Sequence, residues 1–184
     1  MISYMEGDLL NSHCNVICHQ VNCSGAMGSG IARQIRSRYP KVYETFRATY
    51  EQGKNILGAI DIVLVQDFSN RAILDRMHRR FVINMYAQKD YNRSKERKRQ
   101  TNYNALRHCI QELKKEIVNY LEYCNDECAI KDFIIGFPYG IGCGLACGDW
   151  NIVRDIIESE FADDKWNVEI WKYTSDTNKN ELSL

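Results

Sequence analysis

The sequence has no excess of either charge, no long apolar run and no secretory signal. Its 184 residues contain 24 basic and 24 acidic side chains. Because these charges cancel, no overall field would draw the protein to nucleic acid or to a membrane, although local patches remain possible. No apolar run approaches the roughly 18 residues of a membrane span, and the first residues lack the basic, apolar, small-residue order of a secretory signal. We therefore expect a cytoplasmic protein without a membrane partner.

The chain also lacks internal repeats and Gly/Ser-rich linkers that would divide it. With 45% hydrophobic residues, a chain of this length can bury a substantial core as one unit. We predict one domain over residues 1–174 and a polar C-terminal tail over residues 175–184.

Eight cysteines are present, but the paired C-x2-C or C…H spacings of convincing zinc sites are missing. In a reducing cytosol, free buried thiols that act as small apolar side chains are the interpretation that we favour. A metal site and a disulfide are the alternatives, and we predict no metal and no cofactor. The cysteines are Cys14, Cys18, Cys23, Cys109, Cys124, Cys128, Cys143 and Cys147.

Strand-like and helix-like segments alternate along the chain. Runs rich in Val, Ile and Phe predict strands, which are Ile2 to Met5, Asn15 to Val21, Ala59 to Gln66, Phe81 to Ala87, Asp132 to Phe137 and Asn167 to Tyr173. The third and fourth of these suit interior strands. Apolar residues three and four apart predict helices, which are Gly30 to Tyr39, Lys41 to Gln52 behind Pro40, a long helix carrying Leu106, Ile110, Leu113, Ile117 and Leu121, and Asp149 to Phe161. This α/β order implies a central sheet covered by helices on both faces.

Two glycine-rich stretches each follow a predicted strand and lead into a predicted helix. The first contains Gly25, Gly28 and Gly30, and the second contains Gly140, Gly142, Gly144 and Gly148. Such a turn exposes backbone N–H groups at the positive end of a helix, where a phosphate can approach because no Cβ atom intervenes. A tight turn that needs glycine only for its φ angle is the alternative. At the same ends of neighbouring strands, the two loops would wall one crevice that fits a diphosphate.

Three motifs carry a resemblance to a known family. They are "GDLL" from Gly7, "VNCSGAMGSGIA" from Val21 and "PYGIGCGLACGDW" from Pro138. In this order they resemble the signatures of macrodomains, in the subgroup of small ADP-ribosyl-glutamate hydrolases and ADP-ribose-1″-phosphate phosphatases. The resemblance spans Gly7 to about Tyr173 and implies a three-layer α/β/α fold with a central mixed sheet, with ADP-ribose or an ADP-ribosylated target as partner.

The resemblance also implies roles for individual residues. Asp8 would accept a hydrogen bond from the adenine amino group, with a turn cap as the alternative, and Asn22 would face the distal ribose. Tyr173 would flank the adenine, since an aromatic face can stack on a base, with a core or edge tyrosine nearly as plausible. The complete set of ligand-binding residues implied is Asp8, Leu9, Gln20, Asn22, Met27, Gly28, Ser29, Gly30, Ile31, Gly140, Ile141, Gly142, Cys143, Gly144, Leu145 and Tyr173.

The catalytic residues of the glutamate-hydrolase subgroup are not matched. Gln88 and Ala146 stand where the resemblance leads us to expect a nucleophilic lysine and an assisting aspartate. Lys89 and Asp149 lie one and three positions later, so a shifted catalytic pair of Lys89 and Asp149 is an alternative. Glutamine cannot form a Schiff base, so we expect water to attack, oriented by Asn22 and assisted by Asp149. His19 is an alternative base, although a hydrogen-bonded core histidine is the interpretation that we favour.

Two basic runs remain, and three classes of function stay open. The runs are Asn92 to Gln100 and Arg76 to Arg80, and we interpret both as solvated loops, with an acidic partner as the alternative. Few aromatic residues lie between their charges, so a nucleic-acid platform is weakly supported. We rank an ADP-ribosyl hydrolase or 1″-phosphate phosphatase first, a non-catalytic ADP-ribose reader second and a nucleic-acid-binding protein third. We expect a monomer.

Overall fold

The chain forms an α/β fold around one six-stranded sheet. In the computed structural model, residues 1–65, 79–91, 98–124 and 130–174 are described. The strands are β1 (Ile2–Glu6), β2 (Val16–Asn22), β3 (Ile60–Val65), β4 (Arg80–Gln88), β5 (Ile134–Pro138) and β6 (Asn167–Lys172). The α-helices are α1 (Gly30–Arg38), α2 (Pro40–Glu51), α3 (Tyr103–Cys124) and α4 (Trp150–Glu160). Short 3₁₀ turns occupy Leu9–Asn11 and Ile130–Asp132.

The strand order is β1-β6-β5-β2-β4-β3, with β3 antiparallel to β4 and every other pair parallel. The sheet is therefore mixed, as predicted. Strand β2 lies between its parallel neighbours β5 and β4, so the carboxyl ends of these three strands meet at one edge of the sheet. The two predicted glycine loops follow β2 and β5 at this edge.

Alternating side chains of β2 supply the two halves of the core. Ile17 packs with Ile35 of α1 and Val42 of α2 on one face. Val16 and Cys18 pack on the opposite face, because successive side chains of a strand point to opposite sides. The predicted stripe on α3 covers that second face together with α4, and it is confirmed as core. The prediction of helices on both faces is also confirmed.

The prediction that Ala59 to Gln66 is an interior strand is wrong, because β3 is the last strand at one edge of the sheet. Its Val63 and Val65 are buried against the α1 and α2 face, whereas Ile62 and Leu64 are 41% and 40% exposed. An edge strand with one covered face has the same apolar composition as an interior strand, so composition alone did not separate them.

Six cysteines lie in the described residues with their side chains, and all six are free thiols. Cys14, Cys18 and Cys109 are buried. Burial raises the pKa of Cys14 and of Cys109 to about 12, so these thiols stay protonated at neutral pH. The interpretation of the cysteines as thiols is confirmed for these positions. The side chain of Cys124 and all of Cys128 lie outside the described part of the chain.

Arg80 corrects the interpretation of the second basic run as a solvated loop. It opens β4 and is buried, with its guanidinium donating to the carbonyl oxygens of Leu10 and Ser12 and to the hydroxyl of Tyr39. Arg79, in the same run, is exposed and donates to the hydroxyl of Tyr120 at 2.8 Å. Residues 76–78 of this run, residues 92–97 of the first basic run and the predicted tail over residues 175–184 lie outside the described residues. Among the helices that are described, none is both long and apolar enough to cross a membrane.

Candidate functional site

A cleft opens at the carboxyl ends of β2, β4 and β5. It consists of two adjoining cavities of about 330 Å³ each, which share Gln20, Gly30, Ile31, Gly142 and Gly144 in their walls. The glycine loop after β2 forms one wall and the glycine loop after β5 forms the other. The crevice predicted from the two glycine-rich stretches is therefore present.

The first loop, residues 22–29, is organised by the side chain of Asn22. Its Oδ1 accepts the backbone N–H groups of Ser24 at 3.0 Å and Ala26 at 3.1 Å, and its Nδ2 donates to the carbonyl of Ala26 at 2.6 Å. The side chain is buried. Asn22 lines the cleft, and most of the hydrogen bonds that its side-chain amide can form hold the loop in its conformation.

The amino end of α1 faces the cleft directly. Ser29 precedes the helix without a side-chain capping bond, and Gly30, with φ +54°, begins it. The first N–H groups of a helix have no partner inside the helix, and they carry its positive end. Gly28, Ser29, Gly30, Ile31 and Ala32 all line the cavity beside Asn22. This wall can therefore donate several backbone hydrogen bonds to an anion.

The second loop, residues 139–149, is held in place by Thr101, which the sequence analysis missed. The Thr101 hydroxyl donates to the carbonyl of Gly142 at 2.6 Å and accepts from Nε2 of Gln20 at 3.0 Å. The backbone N–H groups of Gln100 and Thr101 both donate to the carbonyl of Ala146, at 2.8 Å and 3.1 Å. No motif surrounds Thr101, so no signal in the sequence could have singled it out.

Backbone conformation explains two of the glycines in this second loop. Gly140 and Gly142 have φ values of +73° and +72°, which side-chain-bearing residues rarely adopt. Cys147 adopts φ +53° although it is not glycine. Gly140 and Gly142 are therefore needed for their φ angles, and the same loop also forms an open wall of the cleft. The two interpretations of the glycines, as a tight turn and as a wall that a phosphate can approach, apply together.

Aromatic side chains surround the far end of the cleft. The second cavity is lined by Asp8, Tyr139, Trp171 and Tyr173, with Tyr173 65% exposed. Trp171 was not predicted from sequence. Its indole N–H donates to the buried carboxylate of Glu169 at 2.8 Å, which fixes the ring beside the cavity.

Asp8 caps a turn, which is the alternative role given for it above, and it also lines the cleft. Its Oδ1 accepts the N–H of Leu10 at 2.9 Å at the start of the 3₁₀ turn, and its Oδ2 accepts from the side chain of Asn11 at 3.1 Å. A carboxylate has about four acceptor positions, so capacity remains for a ligand donor. Its contact with adenine stays a prediction.

Most of the predicted binding residues line the two cavities. They are Asp8, Leu9, Gln20, Asn22, Gly28, Ser29, Gly30, Ile31, Gly140, Ile141, Gly142, Gly144, Leu145 and Tyr173. Met27 and Cys143 do not line either cavity. The Met27 side chain packs in a cluster with Phe46 and Tyr86, and the Cys143 thiol donates to the carbonyl of Ile141.

The two positions aligned with the subgroup's catalytic pair, Gln88 and Ala146, both line the cleft. Lys89 is exposed and lines a different cavity, beyond the wall formed by Thr101. Asp149 lines none of the cavities described here, and its Oδ1 accepts the N–H of Asn151 at 2.8 Å as the N-cap of α4. The geometry thus gives Asp149 a helix-capping task, and its assistance to catalysis stays a prediction.

His19 is a core residue, as the favoured interpretation held. It is fully buried, and its Nε2 donates to the side-chain oxygen of Asn84 at 2.6 Å. The side-chain amide of Asn84 in turn donates to Asp61 at 3.0 Å. Burial lowers the pKa of His19 to about 4, against the smaller opposing effect of the bond to Asn84. The imidazole is therefore neutral at physiological pH, and it does not line the cleft.

The chemistry available in the cavity beside Asn22 is that of amides and backbone N–H groups. Its polar lining side chains are Gln20, Asn22, Ser29, Gln88 and Tyr91, with no carboxylate, histidine or lysine among the described residues that line it. Such a site can bind anions, orient a water molecule and stabilise developing negative charge. The side-chain types most often used as general bases are not found among the described lining residues.

Comparisons with curated proteins place this chain among phage, bacterial and yeast relatives. It is 28% identical to an uncharacterized 17.5 kDa protein of Enterobacteria phage T4 over 86% of this chain and 89% of that protein. It is 36% identical to the DNA ADP-ribosyl glycohydrolase of Mycobacterium tuberculosis over 34% of this chain, but only 18% of that protein. It is 34% identical to the ADP-ribose 1″-phosphate phosphatase of Saccharomyces cerevisiae over 40% of this chain and 42% of that protein. No protein-family profile matches the chain.

Solved structures share the fold over nearly the whole chain. The macrodomain of Mycobacterium tuberculosis DarG superposes with a TM-score of 0.68 at 21% identity, covering 95% of this chain and 99% of that one. Thermosipho africanus DarTG in complex with ADP-ribose superposes with a TM-score of 0.68 at 18% identity, covering 92% of this chain and 41% of that one. The chain therefore has the macrodomain fold, which confirms the resemblance carried by its three sequence motifs.

Proposed function

We propose that this protein binds ADP-ribose and acts as a hydrolase, which either removes ADP-ribose from a modified target or dephosphorylates ADP-ribose-1″-phosphate. The observation that carries the proposal is the pairing of the amino end of α1 with the glycine loop after β5 across one cleft. Each wall can donate backbone N–H groups to an anion, and two such walls that face each other suit a diphosphate better than a single phosphate. The relatives named as a glycohydrolase and a phosphatase of ADP-ribose compounds support the same ligand.

Each end of the cleft suits one end of ADP-ribose. The adenine would lie at the end lined by Asp8, Trp171 and Tyr173, where a carboxylate can accept from the amino group and aromatic faces can stack on the base. The diphosphate would lie between the N–H groups at the start of α1 and residues 140–144. The distal ribose would then lie in the cavity lined by Asn22 and Gln88, which are paired across β2 and β4.

The lining of that cavity limits the bonds that the protein can hydrolyse. In the proposed reaction, water attacks C1″ of the distal ribose, a C–O bond to water forms, and the bond from C1″ to the leaving group breaks. A carboxylate or phosphate leaving group departs as an anion without needing a proton, and the attacking water releases its proton to solvent. Such leaving groups suit a site whose described lining residues include no carboxylate, histidine or lysine.

A non-catalytic ADP-ribose reader is the second candidate. The same lack of an ionisable base in the described lining favours it, because ADP-ribose could be held tightly with no group to accelerate hydrolysis. Turnover assays on glutamate-linked ADP-ribose and on ADP-ribose-1″-phosphate separate the two. Release of ADP-ribose above the rate of an enzyme-free control supports the hydrolase, and tight binding without release supports the reader.

Calorimetry with ADP-ribose, AMP and ribose 5-phosphate tests the binding proposal directly. We expect ADP-ribose to bind at least about tenfold more tightly than either fragment, because each fragment leaves one half of the cleft unfilled. Equal affinities for AMP and ADP-ribose would contradict the proposal. Salt-dependent binding of oligonucleotides without ADP-ribose would instead favour the nucleic-acid function ranked third.

The cellular setting is also part of the proposal. A cytoplasmic location is supported by the free thiols at all six described cysteine positions, since oxidising compartments favour disulfides. We infer a monomer from the single continuous cleft, which is walled by elements of one chain. Light scattering during size-exclusion chromatography measures this directly.

A further inference from the structure

Trp171 brings an indole ring to the end of the cleft that the proposed function assigns to adenine. It lies on β6 and lines the same cavity as Asp8 and Tyr173. A base stacks well on an aromatic side chain only where the two faces are nearly parallel, so the ring has to be held in one plane. The contacts that hold the indole therefore bear on how the base is bound.

The carboxylate of Glu169 is the hydrogen-bond partner of this indole. Glu169 lies two residues before Trp171 on β6, so both side chains point to the same side of the sheet. Its Oε2 accepts the indole N–H at 2.8 Å and the thiol of Cys14 at 3.3 Å, and its Oε1 accepts from Nε2 of His13 at 2.9 Å. Glu169 is only 7% exposed. A buried carboxylate with donors on both oxygens is fixed in position, and the indole bonded to it is fixed as well.

Two further contacts restrict the indole ring. Its Cζ3 atom lies 3.3 Å from the point where a Cβ atom on Gly7 would be placed, so the ring packs directly against the backbone there. The imidazole of His13 meets the ring edge to face, with 6.0 Å between the two centroids. Trp171 is therefore held at its N–H by Glu169 and at its ring by Gly7 and His13.

The contact with Gly7 links the position of the indole to that of Asp8, which is the next residue in the chain. Gly7 is itself tied to β6, because its backbone N–H donates to the carbonyl of Lys172 at 3.0 Å. The ring that would face the base and the carboxylate that would accept from its amino group thus lie on directly bonded segments. Both contacts can form at once only if the ring and the carboxylate are held at the right separation.

We propose that Glu169 is a positioning residue that determines the base specificity of the cleft. By fixing the indole of Trp171 relative to Asp8, it lets stacking on the base and the hydrogen bond from the amino group form together. Both oxygens of Glu169 are bonded to protein groups, so it acts on the base only through Trp171. The inference rests on the proposed function, which puts adenine at this end of the cleft.

The relative affinities for AMP and IMP measure base specificity, because IMP carries an oxygen where AMP carries the amino group. For the wild type we expect AMP to bind at least about tenfold more tightly, since only AMP can donate to the Asp8 carboxylate. Glu169→Met removes both oxygens and keeps an unbranched side chain of similar length. We expect it to lower the preference for AMP to less than about threefold, because the freed indole no longer fixes the base against Asp8. Calorimetry gives both affinities.

Two matched variants separate the role of Glu169 from a general loss of a carboxylate. Glu169→Gln keeps an oxygen that can accept the indole N–H, so its preference for AMP should stay within about twofold of the wild type. Asp61 is a carboxylate that accepts from Asn84 at 3.0 Å and from Tyr86 at 2.8 Å, but it lies on β3, with β5, β2 and β4 between that strand and β6. Folded Asp61→Ala should also keep the preference within about twofold.

A double-mutant cycle with Trp171→Phe tests whether Glu169 acts through the indole. Phenylalanine keeps an aromatic ring but has no N–H to bond to the carboxylate. Glu169→Met should weaken AMP binding at least about fivefold in the wild-type background and less than about twofold in the Trp171→Phe background. Ribose 5-phosphate has no base, so its affinity should stay within about twofold of the wild type in every one of these variants. Circular dichroism and the unfolding midpoint confirm that each variant is folded.

The outcomes separate this inference from the proposed function. If ADP-ribose does not bind to the wild type, the proposed function fails. If ADP-ribose binds but folded Glu169→Met keeps the wild-type preference for AMP, or the wild type has no such preference, the positioning role is overturned. An equal effect of Glu169→Met in both backgrounds of the cycle would overturn it too. If Glu169→Met does not fold, Trp171→Phe decides alone, because it removes the same hydrogen bond, and an unchanged preference for AMP in that variant would overturn the inference.

Discussion

The Oε1 atom of Gln20 lies 2.5 Å from the point where a Cβ atom on Gly142 would be placed. That point is also 2.9 Å from Oγ1 of Thr101, and Gly142 has φ +72°. A side chain at this position would therefore press into the polar contacts that hold the loop. The main effect of a bulky residue at Gly142 is therefore on the fold.

We therefore predict that Gly142→Val lowers the free energy of unfolding by about 1–3 kcal/mol, from backbone strain and from crowding of Gln20 and Thr101. Gly144→Val is the matched control, because Gly144 has no positive φ and, in the described part of the chain, only its own chain neighbours come within 4 Å of its Cβ position. Denaturant unfolding followed by circular dichroism measures both. Equal stability of the two variants would contradict the structural role of Gly142.

Gly28 provides the clean steric test of the cleft. It lines the cavity beside Asn22 and has no positive φ, and apart from its chain neighbours no described residue has an atom within 4 Å of its Cβ position. We expect Gly28→Val to fold like the wild type and to weaken ADP-ribose binding at least about tenfold, because the added side chain extends into space that the diphosphate needs. Calorimetry gives the affinity, and an unchanged unfolding midpoint confirms the fold. Normal affinity in the folded variant would contradict the phosphate path.

Two substitutions at Asp8 separate its capping bond from its proposed contact with adenine. Asp8→Ala removes both, so we expect ADP-ribose binding to weaken by about 1–3 kcal/mol and stability to fall by about 1 kcal/mol. Asp8→Asn keeps an oxygen that can accept from Leu10, so stability should stay near that of the wild type while binding still weakens. If Asp8→Asn binds ADP-ribose normally, Asp8 serves only as a cap.

Asp149 can be tested in the same way. As the N-cap of α4, it should contribute about 1 kcal/mol to stability, which Asp149→Ala removes and Asp149→Asn retains. Because its carboxylate lines none of the cavities described here, we expect kcat/KM of both folded variants to stay within a few-fold of the wild type. A loss of about 10²–10⁴ in kcat for either variant would instead establish the assisting role that the sequence analysis assigned to Asp149.

The buried His19 predicts a pH dependence of stability. Burial lowers its pKa to about 4, from about 6.5 in an unfolded chain. Above pH 6.5 neither state binds the proton and the full stability is present. As the pH falls from 6.5 towards 4, the unfolded state takes up the proton first, so stability falls by up to about 3 kcal/mol.

Denaturant unfolding at pH 7, 6 and 5 measures this loss, with His19→Gln as the control. The glutamine can still donate to Asn84 but does not titrate, so its stability should fall less than that of the wild type over the same pH range. Carboxylates titrate in both proteins and cancel in the comparison. Parallel curves for the two proteins would contradict the lowered pKa.

The sequence by itself determined the order of elements, because every strand and helix carries its own periodicity. The alternation of strands and helices, the apolar stripe on α3 and the two glycine loops were all predicted with boundaries within a few residues. The loops could also be predicted to face one another, since the carboxyl ends of parallel strands meet at one edge of the sheet. These features depend on contacts between residues that are near in the chain or on general rules of sheet topology.

Only the tertiary structure decided which side chains reach the cleft. Gln88 and Lys89 are adjacent in sequence, yet they line different cavities because Thr101, brought in from the segment before α3, lies between those spaces. His19 lies in the core, bonded to Asn84 of the neighbouring strand β4. Asp149 is exposed, and its carboxylate caps the first turn of α4. Strand order and long-range packing, which a local sequence pattern does not encode, also decide three other features. These are the edge position of β3, the burial of Arg80 and the short distance from Gln20 to the Cβ position of Gly142.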